Sequence, residues 1–329
     1  MASTIEPIAA DLIRALRGTR SQSDFSKRLG YRSNIVHRWE SGKCWPSASS
    51  FLSQCLRWQP RLAGAFEQFF QRVPDWLDAH APFSRACISA FLSDLRGKVP
   101  IATLAARCSY NRHSVGRWLK GKADPNLPEF LSLIEASSRR LLDFLATLTD
   151  PGAMLTVSAR WRELCRAREV GYELPWSHAV LRALELPGCR TARHPEQWIA
   201  ARLGVERSVV EAGLEALRAT GQASKVRGKW GLERVVTIET SRDVVRGREL
   251  KAAWVRVALE RLQKGAPGNY GYSVFAITRK DLRRLRQIHL EYVRAMQDVI
   301  AESNPGQCVG LYCAQLLDLS SVDNALRNA

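Results

Sequence analysis

The chain has 329 residues, 46% hydrophobic and 25% charged, long enough for roughly two to four domains with cores of their own. Its 49 Lys and Arg against 32 Asp and Glu leave a net charge of +17, which favours a polyanionic partner: DNA, RNA or an anionic membrane surface. The first ten residues lack a signal-like pattern and no apolar run approaches the roughly 18–20 residues that cross a bilayer, so the chain is expected to be neither secreted nor inserted.

In chain order, the first element is an amphipathic helix over Ile8–Leu16, with Ile8, Leu12, Ile13 and Leu16 on one face. Ser23–Leu29 reads as a second short helix stopped by Gly30, and a third starts at Ser33 with Ile35, Val36 and Trp39 inward. Gly42 ends it, and Ser49–Leu56 supplies a fourth amphipathic piece beyond Pro46. A further helix is expected over Leu62–Phe70.

The same pattern then returns. Leu16-Arg17-Gly18 recurs as Leu95-Arg96-Gly97, an offset of 79 residues. The offset carries Tyr31 onto Tyr110, Arg38-Trp39 onto Arg117-Trp118 and Gly42-Lys43 onto Gly121-Lys122, then Pro46 onto Pro125 and Phe51-Leu52 onto Phe130-Leu131, without a gap. One register held through Trp, Gly, Pro and Phe marks a duplicated domain. Two short helices around a tight Gly-containing turn follow the helix-turn-helix plan.

The stretch QSDFSKRLGYRSNIVHRWESGKCWPS resembles the Xre/Cro-repressor type of helix-turn-helix. Gln22, Gly30, Trp39, Glu40, Gly42, Lys43 and Pro46 stand at that family's positions. The resemblance implies double-stranded DNA as partner, with the third helix in the major groove and Gln22 near a phosphate or base. The outward residues Ser33, Asn34, His37 and Arg38 would face base edges, Asn34 suiting adenine and Arg38 guanine. Arg32 and Lys43 would meet phosphates. The second copy departs from the pattern: Ile101 replaces the Gln, Ser109 the Gly and Leu119 the Glu. Its Arg112, His113, Arg117, Lys120 and Lys122 keep the corresponding face basic. Trp39 and Trp118 are expected in the core rather than stacked on bases. Two linked modules suit successive half-sites or a pseudo-dimer within one chain, and equally a division of labour in which the second copy contacts protein.

Beyond the turn-rich Asp150-Pro151-Gly152 the order changes. Helices over Ser177–Leu184, Pro195–Leu203 and Glu206–Thr220 precede a hairpin with Gly228 at its turn and Val226, Trp230 and Leu232 in its strands, a winged-helix order. Arg207, Lys225, Arg227 and Lys229 are its candidate DNA-facing charges. Then come a helix over Val244–Leu262, a strand-like alternation at Tyr270, Tyr272, Val274 and Ala276, a helix over Arg279–Glu302 and a strand-like run over Gln307–Ser320. So small a sheet leaves open edges, and the same sheet of a second subunit is the expected partner, which makes a homodimer. From about Trp176 to Ser320 the stretches VLRALELPGC, WIAARLGVERSVVEAGLEAL, FAITRKDLRRLR and LYCAQLLDLS are similar to an uncharacterised family of bacterial regulators that joins an Xre-type domain to a domain of unknown function.

The expected fold is therefore mainly α: helix-turn-helix domains over 1–72 and 85–150 joined by a linker over 73–84, a connecting helix over 151–175, a winged helix over 176–238 and a small α+β domain over 239–329. The eight scattered cysteines form no C-x-x-C pair and suit a reducing cytoplasm, where a nucleoid-associated regulator would act. No phosphate-binding loop, dinucleotide fingerprint, metal-spaced cluster or nucleophile elbow is present, so no catalytic residue, metal or cofactor is expected. A weakly specific nucleoid-type or RNA-binding protein is the alternative, and a recombinase- or transposase-like enzyme a more distant one. His289, within the last long helix, is expected to be packed or capping rather than a switch.

Overall fold

The computed structural model describes residues 2–70, 73–74, 76–233, 243–303 and 305–321. Among them are seventeen α-helices, three short 3-10 helices and one two-stranded sheet, so the protein is mainly α-helical. The chain divides into two compact units, residues 1–164 and 165–329.

Unit 1 holds both copies of the repeat. The first comprises α1 (Ala2–Arg17), α2 (Gln22–Arg28), α3 (Ile35–Glu40), α4 (Ala48–Leu56), a 3-10 turn (Pro60–Gly64) and α5 (Ala65–Phe70). The second comprises α6 (Arg85–Arg96), α7 (Ile101–Cys108), α8 (Arg112–Leu119), α9 (Leu127–Ser138) and α10 (Leu141–Leu148). The 79-residue offset superposes the two series in order, including the last pair, where Leu62 corresponds to Leu141. Helices of six to eight residues are not stable alone. Here they are held by what they bury: Phe25 on α2, Val36 and Trp39 on α3, Leu104 on α7, Val115 and Trp118 on α8. Both tryptophans lie in the core, Trp39 edge-on to Tyr31 and to Phe51, with centroids 5.4 and 5.9 Å away.

The two copies share a single hydrophobic core running from Ile5 to Val157. Its centre is a phenylalanine cluster: Phe66 of α5 stacks on Phe91 of α6 at 4.3 Å, and Phe130 of α9 and Phe144 of α10 close around them. Trp76 and Phe83, within the stretch expected to be a linker, pack against Phe66 as well. Each such ring removed from water contributes about 1.5–3 kcal/mol, so the join between the copies is as strongly packed as either copy. The connecting region, expected as one helix, is a 3-10 turn (Pro151–Ala153) and then α11 (Ser158–Glu173), inside which the two units divide. Between them, Thr156 donates to the buried Asp11 carboxylate of α1 through its backbone N–H and its hydroxyl, at 2.8 and 2.9 Å.

One turn shows how the fold tolerates substitution. Gly30 follows α2 with φ of +83°, and its counterpart Ser109 takes φ of +59° after α7. The left-handed turn survives without the residue that makes it easy.

Unit 2 contains α12 (Trp176–Ala183), α13 (Pro187–Thr191), α14 (Pro195–Leu203) and α15 (Arg207–Ala219), followed by strands β1 (Ala223–Val226) and β2 (Lys229–Leu232). α15 lies against α12 and α14 around Val180, Ile199, Val210 and Leu214, with Trp230 of β2 at the edge of that core. The short α13 is an addition to the expected order. The strands pair antiparallel, Ala223 with Leu232 and Val226 with Lys229. The two residues between them, Arg227 and Gly228, have φ of +50° and +79°, the pair of positive values that a type I′ hairpin turn requires. Expected winged-helix residues 234–238 lie outside the described residues.

Then come α16 (Val244–Gln263), α17 (Arg279–Glu302) and a 3-10 turn (Leu319–Ser321). The strands expected at Tyr270–Ala276 and over Gln307–Ser320 are not formed: both segments are irregular up to the final turn, and β1 and β2 are the only strands among the described residues. Alternation specifies which side chains would share a face, but a strand also needs a neighbouring backbone to bond to. Tyr272 and Val274 are left 97% and 78% exposed. His289 is half-buried on α17.

Candidate nucleic-acid interface

The α2–α3 pair of the first copy is fastened by one buried carboxylate. Glu40, the last residue of α3, has a side chain only 4% exposed. A bare charge at that depth is costly, and three neighbours on other helices meet it. Arg17 of α1 donates to Oε1 through Nε at 2.6 Å and to Oε2 through a terminal nitrogen at 3.3 Å. Gln22, the first residue of α2, donates to Oε2 at 2.7 Å. Arg14 donates to the Glu40 backbone carbonyl at 2.7 Å. α1, α2 and α3 are thereby tied at a single point. Gln22, expected near a phosphate or base, has its amide nitrogen engaged in this network.

On that support stand the expected contact residues. Arg32, Ser33, Asn34, His37, Arg38 and Lys43 are all exposed on α3 or its flanking turns. Arg32, Arg38 and Lys43 form no salt bridge among the described residues, in contrast to Arg14 and Arg17. Asn34 has a further task. α3 begins at Ile35 rather than Ser33, and Asn34 is its N-cap, with Oδ1 accepting from the His37 backbone N–H at 3.4 Å and from the Ser26 hydroxyl at 3.3 Å. Ser26, almost fully buried, also accepts from the Val36 backbone N–H at 3.1 Å. This arrangement engages one of the two groups that a bidentate adenine contact uses.

In the second copy the supporting network is replaced as a unit. Leu119 and Ile101 stand where Glu40 and Gln22 stand in the first, and both join the hydrophobic core. Ser93, the counterpart of Arg14, donates to the Leu119 carbonyl at 3.0 Å, and Ser89 adds a second bond at 2.7 Å. Arg96, the counterpart of Arg17, donates instead to the Val99 carbonyl at 2.9 Å. Its buried Nε, which in Arg17 meets the carboxylate, has no hydrogen-bond partner among the described residues. α8 starts two positions earlier than α3, with Asn111 as N-cap accepting from the His113 backbone N–H at 2.8 Å. Arg112, His113, Arg117, Lys120 and Lys122 are exposed along it and just beyond.

The expected charges of unit 2 divide differently. Lys225 lies 3.1 Å from Glu196 of α14 and 4.8 Å from the centroid of the Trp230 ring, so its ammonium is engaged within the fold. Burial works to raise the Glu196 carboxyl, yet hydrogen bonds from Trp230 Nε1, the backbone and Lys225 hold it below the ordinary carboxylate value. Arg207 pairs with Glu211 at 2.7 Å on the surface of α15. Arg227, at the hairpin tip, and Lys229 are exposed.

Arg14, Arg17, Ser26 and Glu40, which hold the α2–α3 pair, and Asn111, which caps α8, were not among the expected site residues except where Glu40 matched a family position. The spacing of Arg14 and Arg17, three apart at the end of α1, is the one local signal for part of that group. No group of three or more metal-capable side chains occurs among the described residues, and no helix there is long and apolar enough to cross a membrane.

Residues 158–316 match a family model described as a domain of unknown function, DUF4423. The second half of the chain is thus similar to an uncharacterised family, from within α11 to the segment after α17. No curated protein and no solved structure matches the chain.

Proposed function

We propose that the protein is a sequence-specific double-stranded DNA-binding transcriptional regulator whose α3 enters the major groove. α2 and α3 would then form an Xre-type helix-turn-helix, α7 and α8 its degenerate second copy, and α12 to β2 a winged helix. One observation carries this: Arg32, Arg38 and Lys43 are exposed and form no salt bridge among the described residues, around a helix that a buried carboxylate fixes to its neighbours, in a chain of net charge +17. Cations neutralised within the fold add nothing to phosphate binding, whereas these remain available to it. Arg38 would read a base edge and Arg32 and Lys43 would hold phosphates. In unit 2, Arg227 and Lys229 would add backbone contacts.

The test is selection from a random duplex library by the purified full chain. The wild type enriches a motif; a His37→Ala/Arg38→Ala variant loses it while keeping weak, salt-sensitive binding. Enrichment of the same motif by that variant would show the groove assignment to be wrong. A nucleoid-type binder would enrich nothing, and an RNA binder would prefer single-stranded RNA to duplex DNA at fixed salt. On this proposal the chain performs no chemical step and needs no cofactor. Magnesium-dependent cleavage or strand transfer of DNA by the purified protein would overturn it.

We infer further that unit 2 associates with a second copy through residues 266–278 and 305–318, where apolar alternation meets no strand among the described residues and Tyr272, Val274 and Leu317 stand exposed. Sedimentation of the full chain would give a dimer at micromolar concentration; a monomer there rejects the association.

A further inference from the structure

The backbone bonds and helix pairings between the two copies in unit 1 obey a rule that neither copy shows alone. Ser47 and Asn126, equivalent under the 79-residue offset, face each other as an isolated antiparallel bridge. The Ala48 N–H donates to the Pro125 carbonyl at 2.9 Å, and the Leu127 N–H donates to the Pro46 carbonyl at 3.0 Å. Leu127 is the counterpart of Ala48, and Pro125 of Pro46. Exchanging the copies turns each bond into the other.

The helices repeat the pattern. α1 packs on α9, and the counterparts of those helices, α6 and α4, pack on each other. α4 packs on its own counterpart α9, and α5 on its own counterpart α10. Modules stacked head to tail would join one surface of the first copy to a different surface of the second. Contacts closed under exchange are the signature of a two-fold interface between like parts. The common phenylalanine core fixes that arrangement, with Trp76 and Phe83 of the intervening stretch packed into it.

We infer that unit 1 is a pseudo-two-fold dimer within one chain and binds a two-part DNA site whose halves are unlike in sequence and fixed in spacing. This rests on the DNA-reading proposed above and adds the class of site. A homodimer with the same interface would take a true palindrome. Here the equivalent outward positions of the two helices carry different side chains, Ser33 against Arg112, Asn34 against His113 and His37 against the half-buried Gly116, while Arg38 is matched by Arg117. The halves should agree at the base pair faced by Arg38 and Arg117 and differ at its neighbours. Halves held by one core cannot adjust their separation, so one spacing alone is bound.

The experiment is library selection with the full-length protein, its His37→Ala/Arg38→Ala variant and an Arg112→Ala/Arg117→Ala variant. All four substituted residues are exposed, and circular dichroism would verify folding. The expected result is a bipartite, non-palindromic motif. The α3 variant loses preference in one half and the α8 variant in the other, each by about tenfold or more. With duplex in excess, one chain binds per duplex by native mass spectrometry, and chains associated through unit 2 carry one duplex each. Inserting about five base pairs, half a helical turn, between the halves abolishes the gain from having both.

Three results would overturn the inference while leaving DNA reading intact. These are a true palindrome bound by two chains per duplex, a single contiguous element indifferent to the α8 variant, or equal binding across several spacings. Absence of any sequence selection would remove the DNA-reading itself, and this inference with it.

Discussion

The two copies in unit 1 have the same order of helices and different means of holding it. The first fastens three helices through a buried Glu40 ringed by Arg17, Gln22 and Arg14. The second has exchanged the acid and the amide for Leu119 and Ile101, with two serine hydroxyls on the carbonyl that Arg14 serves in the first. Taken singly, the absence of the Gln or of the Glu looks like the loss of a support. Taken together, they exchange a polar fastening for an apolar one. A buried ionic group and a well-packed apolar replacement are often close in stability, whereas half of either is poor.

The largest test breaks the first fastening halfway. Glu40→Leu alone should destabilise the protein by about 3 kcal/mol, the low end for orphaning one member of a buried pair, because Arg14 is 44% exposed and can turn to water. Arg14→Ser/Gln22→Ile/Glu40→Leu imports the second copy's arrangement except for Ser89, whose counterpart is Ala10, and should return to within about 1 kcal/mol of wild type. Denaturant unfolding of the full chain measures both, and a triple variant no better than the single one would refute the exchange.

Next in size are the caps at the bridge between the copies. Asn126 and Glu129 form a reciprocal capping box with bonds of 3.0 and 2.7 Å, while Ser47 caps α4 with one bond of 3.4 Å. Asn126→Ala should cost about 1–2 kcal/mol and Ser47→Ala about 0.5 kcal/mol. Equal costs in thermal unfolding would mean that the bridge, rather than the caps, sets the energy.

The smallest effect should change sign between the copies. Gly30→Ser imposes a left-handed backbone on a side chain and should cost about 0.5–1 kcal/mol, the strain partly offset by a less flexible unfolded chain. Ser109→Gly should gain a similar amount. A loss from Ser109→Gly would indicate that the serine side chain, not the backbone, is what its turn requires.

Much of this architecture was legible in the sequence. The offset of 79 residues located both copies, apolar spacing placed α16 and α17, and Gly228 marked the hairpin turn. What the sequence withheld depends on pairings distant along the chain. Gln22 and Glu40 lie 18 residues apart, so their bond is invisible to any local pattern. Asn34, in sequence a candidate for base contact, caps α3, because a short polar side chain at a helix start suits both tasks. Lys225, in sequence a candidate DNA-facing charge, is engaged by Glu196, 29 positions away in the chain. The alternation at Tyr270–Ala276 was read as a strand, and the described residues offer it no backbone partner.

The common phenylalanine core also has a genealogical consequence. A duplicated segment that remains a separate bead can be discarded by one deletion, and most duplications are reversible in that sense. Here Phe66 of the first copy lies against Phe91 and Phe144 of the second. Removing either copy would strand the other's largest side chains in water. While the two share this core neither can be removed without exposing the other, and difference is accommodated on the outside, where Ser33 stands in one copy and Arg112 in the other without cost to the interior. The second copy can thus differ on its outer face and still be indispensable to the first.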